Sequence, residues 1–216
     1  MRARPAQWRS AQSRPATSRS ALTWASRALA AAAIVSVGYA ASGPPALTAA
    51  QIELAPGTQR VWLSAAEAAK LPTARGRPRV VRSILNVRGP MNYGDYAWED
   101  GGVPAGRLWI RVDREAQLIS VFRGGHEIGT AVIVYGATEK PTPSGTYPII
   151  WRRADHRSSL YDAPMPYTLR ITGDGVAIHG SDVRRGRATH GCVGVPVEFA
   201  RKLFLAARLG DPVDII

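Results

Sequence analysis

A single cysteine among 216 residues rules out any disulfide within the chain, so no covalent staple supports its fold. Charge is also sparse. Charged residues make up 20% of the chain against 45% apolar, a balance that excludes wholesale disorder and leaves material for one substantial core. Long hydrophobic runs are missing too: the uncharged stretch from Ala28 to Ala41 falls short of the ~20 residues that a comfortable membrane span requires. No nucleic-acid-binding motif accompanies the net charge of +12.

That charge is unevenly spread. Arg2, Arg4, Arg9, Arg14, Arg19 and Arg27 occur with no acid among them, and the run Ala28 to Ala41 follows directly. A basic n-region, an apolar h-region and the small-x-small step Gly38-Tyr39-Ala40 predict a signal peptide over 1–41, with Pro44-Pro45 stopping any helix. The expected destination is the periplasm or cell envelope. Retention of the leader as an anchor in the cytoplasmic membrane is the alternative. Without those arginines the remainder carries +6, which suits an anionic surface such as cell wall and gives no reason to invoke nucleic acid. An exposed lone thiol is a liability in an oxidising compartment. Cys192 is therefore either buried and inert or kept for its reactivity.

Residues 42–106 read as an N-terminal extension or linker. It holds one short helix opened by the capping box Ser64-Ala-Ala-Glu67 and ending near Leu71-Pro72. Arg75, Arg77, Arg79 and Arg82 then mark a solvated basic stretch. Tyr93, Tyr96 and Trp98, among glycines and acids, suggest an ordered loop packing aromatics on a neighbouring domain, with sugar stacking as the sharper alternative.

From 107 to 216 the texture is β. Leu108–Val112 and Gln117–Arg123 read as a hairpin across Asp113–Ala116, and Gly124-Gly125 turns the chain into a strand over Glu127–Tyr135. Thr146–Trp151, Tyr167–Thr172 and Val176–His179 complete six strand candidates. Phe199, Leu203, Phe204 and Ala207 fall on one helical face between Pro196 and Gly210. The terminal Pro212–Ile216 is apolar enough to pair in the core. The predicted fold is mostly β, a sandwich or barrel with one packed C-terminal helix.

Chemistry concentrates in Ile178-His179-Gly180-Ser181 and Thr189-His190-Gly191-Cys192-Val193-Gly194. A cysteine nucleophile needs a base to raise its thiolate fraction, and His179, at a strand end, is the candidate. Glycine lets a substrate carbonyl approach backbone amides, so Gly191 and Cys192 are candidate oxyanion donors. Gly180 permits a turn after His179, and its carbonyl is a candidate third member of a triad. A buried cysteine beside a satisfied histidine remains the structural alternative. So does a zinc site built from His179, His190 and Cys192, with Asp182 nearby. His126 and His156 read as exposed turn residues.

Thr-His-Gly-Cys followed by an apolar residue, with an upstream His-Gly, resembles the signature of the L,D-transpeptidase catalytic domain. The similarity extends through Thr142-Pro143-Ser144-Gly145, Met165-Pro166-Tyr167 and the closing Glu198-Phe-Ala-Arg and Gly210-Asp-Pro-Val-Asp, covering Arg107 to Ile216. The resemblance implies Cys192 as nucleophile, His179 as base, and His190 and Thr189 shaping the pocket. It implies peptidoglycan stem peptides as substrate, an acyl-enzyme at a diamino acid, and no metal or organic cofactor. The acceptor it implies is an amine, which a second stem, a wall-linked lipoprotein or a D-amino acid would supply. Hydrolysis through the same thioester and a non-catalytic wall-binding module are the competing readings. Two departures stand out: Gly194 occupies a position that is commonly arginine or asparagine in the family, leaving Arg184, Arg185 or Arg187 as substitutes, and the loop from His179 to Thr189 is short.

Overall fold

The structure is a computed structural model that describes Gln51, Leu54, residues 59–71, Ala74 and residues 79–216. The leader, its Gly38–Ala40 step, Arg75 and Arg77 lie outside the described residues. Among the described residues no helix is long and apolar enough to cross a membrane.

Alternation builds the centre of the main sheet. In β4 (Leu108–Asp113) and β5 (Leu118–Arg123), Leu108, Ile110, Val112, Ile119 and Val121 face the main core. Trp109 and Phe122 point to the opposite face and stack there, ring centroids 4.2 Å apart and nearly parallel. The β4–β5 turn closes through Asp113, whose Oδ1 accepts the Ala116 amide at 2.9 Å. Gly124 and Gly125, both at positive φ, make the two-residue turn into β6 (His126–Val132), as right-handed strand twist favours.

The residues before 107 add three strands to this sheet. β1 (Arg60–Trp62) pairs with β2 (Ser83–Leu85), and β2 and β3 (Tyr96–Trp98) share one edge of β6. On the other side, β12 (Pro212–Ile215) runs parallel to β4 and antiparallel to β7 (Gly145–Pro148). Tyr96 and Trp98 are therefore core residues, and their rings are not available to stack on sugars. Both meet Phe199 edge-on, at 6.2 and 5.5 Å. Gly129 makes room for this, since a Cβ there would lie 2.4 Å from the Trp98 ring.

Two buried polar groups tie the early strands to β6 and β12. Glu127 accepts the Leu85 amide at 2.8 Å, and Asp214 takes a two-pronged bond from Arg79 (2.8 and 3.1 Å) plus the Thr146 hydroxyl at 2.8 Å. The short helix α1 (Ala65–Ala68) carries its predicted capping box, with the Ser64 amide on Glu67 and the Glu67 amide on Ser64.

A second sheet runs β11-β10-β9-β8: β11 (Val193–Val195), β10 (Ala177–Gly180), β9 (Thr168–Arg170) and β8 (Trp151–Arg153). The strand expected over Thr146–Trp151 is split between the two sheets. Pro148 has no amide to continue a ladder, and the next two amides turn to Asp211 and Arg170. Helix α2 (Val197–Ala206) buries Phe199, Ala200 and Leu203 against both sheets. Its last carbonyls, of Phe204 and Ala207, are taken by the Arg152 guanidinium.

Candidate active site

The small sheet carries the candidate chemistry because of its register. In the parallel pair β10–β11, Ile178 faces Val193 and His179 faces Gly194. Ile178, Val193 and Val195 enter the core, so Ala177, His179 and Gly194 share the opposite face. Continuing the register one residue back sets Cys192 beside Ala177. Cys192 and His179 thus become diagonal neighbours on one face, the relation that lets side chains of adjacent strands meet.

His179 is buried, and its Nδ1 lies 2.9 Å from the Gly180 carbonyl. A carbonyl can only accept, so Nδ1 carries the proton in the neutral ring and Nε2 keeps the basic lone pair. Gly180 is held from behind: its amide donates to the Pro166 carbonyl at 2.8 Å, and a Cβ would press on Pro166 and on Val197 at the start of α2. Met165-Pro166-Tyr167 is thus the support of the histidine strand. Tyr167 adopts φ +57° there, and the Thr168 hydroxyl donates to the Met165 carbonyl at 2.6 Å.

The turn before β11 is built on close backbone approach. Gly191 sits at φ +104°, a region that L side chains rarely adopt. Gly136 faces it, where a Cβ would be 2.2 Å from the Lys140 carbonyl oxygen and 2.9 Å from the Gly191 Cα. The Gly136 amide donates to the Thr142 hydroxyl at 2.9 Å, and Arg114 grips the Thr142 carbonyl and the Ser144 hydroxyl, so the Thr-Pro-Ser-Gly segment is the floor beneath the cysteine turn. Thr189 joins this frame through its amide on the Tyr135 carbonyl, and its hydroxyl donates to the Cys192 carbonyl at 2.5 Å.

Cys192 is partly accessible, with its thiol 3.7 Å from the Gly175 carbonyl. Burial pushes the thiol pKa up, opposed by a backbone hydrogen bond to Ala177 and by the Lys140 charge, while Asp174 adds to the rise. Burial moves His179 the other way, down, against the Gly180 carbonyl and with some help from His156. Both shifts favour uncharged forms. Each shift comes chiefly from burial, which opposes charge on the thiol and on the imidazole alike.

Gly194 has a steric explanation. A Cβ there would stand 2.7 Å from Val134 Cγ2 and 2.8 Å from Ser181 Cβ, because Val134 and Gly194 exchange both backbone hydrogen bonds at 3.0 and 2.8 Å. No arginine or asparagine fits at this position as the strands stand. Arg184 is paired with Asp182 on the exposed loop, and Arg185 and Arg187 are exposed on the same loop.

His190 is exposed, its ring stacked on Tyr161 with centroids 4.2 Å apart and planes 15° from parallel. Among the described residues no three His, Cys, Asp or Glu side chains converge as a metal site. Lys140, Tyr161 and Asp174 surround the mouth without having been singled out from sequence, because only the fold brings their segments to Cys192. His156 and His126 are not exposed turn residues. His156 is half-buried edge-on to Trp151 at 5.0 Å, and His126 opens β6 with Nδ1 2.9 Å from the Ser83 hydroxyl.

Comparison with known proteins gives a family and several partial structural matches. A family model for the L,D-transpeptidase catalytic domain, YkuD, matches residues 107–215, a span that contains His179 and Cys192. No curated protein matches the chain. Among solved structures, an L,D-transpeptidase from Stackebrandtia nassauensis is 22% identical over 52% of this chain and 57% of its own, with a TM-score of 0.48. An Enterococcus faecium L,D-transpeptidase mutant is 26% identical over 52% and 50%, TM-score 0.48. Mycobacterium tuberculosis L,D-transpeptidase 1 is 23% identical over 50% and 60%, TM-score 0.44. The chain thus spans about half to three fifths of the length of the solved proteins it matches.

Proposed function

The chain belongs to the YkuD family of L,D-transpeptidase catalytic domains, and from that premise we propose that it is an exported cysteine acyltransferase acting on peptidoglycan stem peptides. The observation that carries this reading is the β10–β11 register, which sets Cys192 diagonal to a His179 whose Nε2 is left basic by the Gly180 carbonyl.

The steps follow from that geometry. As Cys192 Sγ attacks the carbonyl at the L-centre of the stem's diamino acid, its proton passes to His179 Nε2. The carbonyl oxygen gains the negative charge, and the amides of Gly191 and Cys192 donate to it; positive φ at Gly191 turns the backbone for that approach. Collapse expels the terminal D-alanine, whose nitrogen takes the proton from Nε2, and leaves a thioester on Cys192. An amine then attacks the thioester and gives its extra proton to Nε2, and the thiolate leaves and recovers that proton. Thr189 holds the Cys192 carbonyl throughout, and His190 with Tyr161 walls the pocket.

The basic, apolar leader over 1–41 supports delivery beyond the cytoplasmic membrane. Residues 107–216 carry the catalytic residues, and β1, β2 and β3 extend the main sheet of that domain. The test is product analysis with a disaccharide-tetrapeptide, with and without an amine acceptor. Amine-dependent amide product with D-alanine release is expected. Release in water alone would make the protein a hydrolase, and no turnover in either mixture would leave a binding module.

A further inference from the structure

A stem peptide brings carboxylates close to the scissile bond, and Gly194 provides no side chain to receive them. Lys140 is placed to do so. Its stem lies along the cysteine turn, with Cγ 3.8 Å from the position a Gly191 Cβ would occupy. Its ammonium stands 6.0 Å from the centre of the Tyr161 ring, and Tyr161 in turn stacks on His190. The residue is exposed, and among the described residues no carboxylate lies within ion-pairing distance of Nζ. Asp174, on the turn whose Gly175 carbonyl faces the thiol, is the nearby acid, and it already accepts from the Thr172 hydroxyl. Arg184 is committed to Asp182, whereas the charge of Lys140 is felt at Cys192.

We propose that Lys140 is the carboxylate receptor of this active site. Its ammonium, carried along the Gly191 turn to the mouth beside Tyr161, holds a carboxylate of the stem peptide while Cys192 attacks. Two carboxylates qualify, the C-terminal one on the leaving residue and the one on the diamino acid side chain. The same cation serves either, because an ammonium is a point charge with rotatable donors. This makes Lys140 a substrate-positioning and specificity residue and rests on the acyl-transfer reading above.

The test uses the full-length chain, its Lys140→Ala and Lys140→Arg variants, and three tetrapeptide stems: the free acid, one amidated at the C-terminus and one amidated at the diamino acid side chain. On the free acid, Lys140→Ala is expected to raise KM about tenfold and to leave kcat within about threefold, with Lys140→Arg restoring most of the loss. On one of the amidated stems wild type and Lys140→Ala should become equal, and that stem identifies the carboxylate. A Lys140→Ala defect that persists on both amidated stems would overturn the proposal, as would equal kinetics on the free acid. A wild-type protein that acylates with none of the three stems sinks the acyl-transfer reading as well, an outcome separate from turnover that ignores Lys140.

Discussion

Replacing Gly194 by alanine tests whether the absent side chain at this position is a packing requirement. The new Cβ would stand 2.7 Å from Val134 Cγ2 and 2.8 Å from Ser181 Cβ. Neither neighbour can retreat cheaply. Valine is stiff at χ1, and a serine Cβ moves only with its backbone, which is bonded here to the Val195 carbonyl at 2.8 Å. Overpacking of this kind costs about 1–3 kcal/mol, and removing a glycine from a strand returns roughly 0.5–1 kcal/mol, so the net loss lies between about 0 and 2.5 kcal/mol and centres on about 1 kcal/mol. In a domain of this size the central value lowers Tm by roughly 2–4 °C. Gly194→Asn should lose more. Val134→Ala removes the nearer obstructing atom, so in the Val134→Ala/Gly194→Ala pair the two losses should sum to less than additive, by thermal melts in a double-mutant cycle. Gly194→Asn with an unchanged Tm, or strict additivity in the cycle, would refute the steric account.

Four further outcomes follow from the same structure. Arg79→Ala strands the buried Asp214 carboxylate and should cost about 2–4 kcal/mol, somewhat below a fully buried pair because Arg79 is partly exposed and Thr146 still donates; adding Asp214→Asn should recover part of the loss in urea unfolding. Alkylation of Cys192 by iodoacetamide should rise about tenfold per pH unit through pH 8, since burial holds the thiol above its ordinary 9.0, whereas a rate plateau between about pH 5 and 7 would indicate an ion pair with His179. Turnover should instead fall only as pH drops through the lowered His179 value, below 6.5. Burial raises Glu127 above its ordinary 4.5, so its protonated form favours the fold. That stability is complete at lower pH and is lost as pH rises through the raised value, so Tm of wild type should decline relative to Glu127→Gln over that range, and a relative gain would mean an ionised Glu127 paired with Arg111 or Arg60.

The centre of the fold was legible because its signals are local. Alternation in Leu108–Val112 and Gln117–Arg123, with Gly124-Gly125 between strands, set the β4–β5–β6 meander, and the spacing of Phe199 and Leu203 marked α2. The three early strands were not legible. Each is three residues long, too short for a period to show, and Trp62 is exposed while Tyr96 and Trp98 are buried. Tyr96 and Trp98 were expected to pack on a neighbouring domain, but nothing in their own segment announces Phe199 as the partner or a strand as the means. Thr146–Trp151 was read as one strand although Pro148, which cannot donate to a ladder, already marked the point where it divides.

At the site, His179 and Cys192 were singled out from residue type, glycine context and the family resemblance, whereas the crowding at Gly194 was not legible. Its neighbours Val134 and Ser181 are 60 and 13 residues away in the chain, so the crowding that excludes a side chain exists only after the sheets meet. Lys140 was hidden in the same way. It precedes a recognisable Thr-Pro-Ser-Gly segment, but its approach to Cys192 depends on Gly136 admitting the Lys140 carbonyl against the Gly191 turn.

The most direct test of the central claim is intact-mass spectrometry of the protein after brief exposure to a disaccharide-tetrapeptide, beside Cys192→Ala and His179→Ala. The account predicts an adduct equal to the stem minus D-alanine on wild type, none on Cys192→Ala, and formation at least ~100-fold slower on His179→Ala, within the range expected for loss of a general base. An adduct that survives Cys192→Ala, or one that forms equally fast without His179, would contradict it.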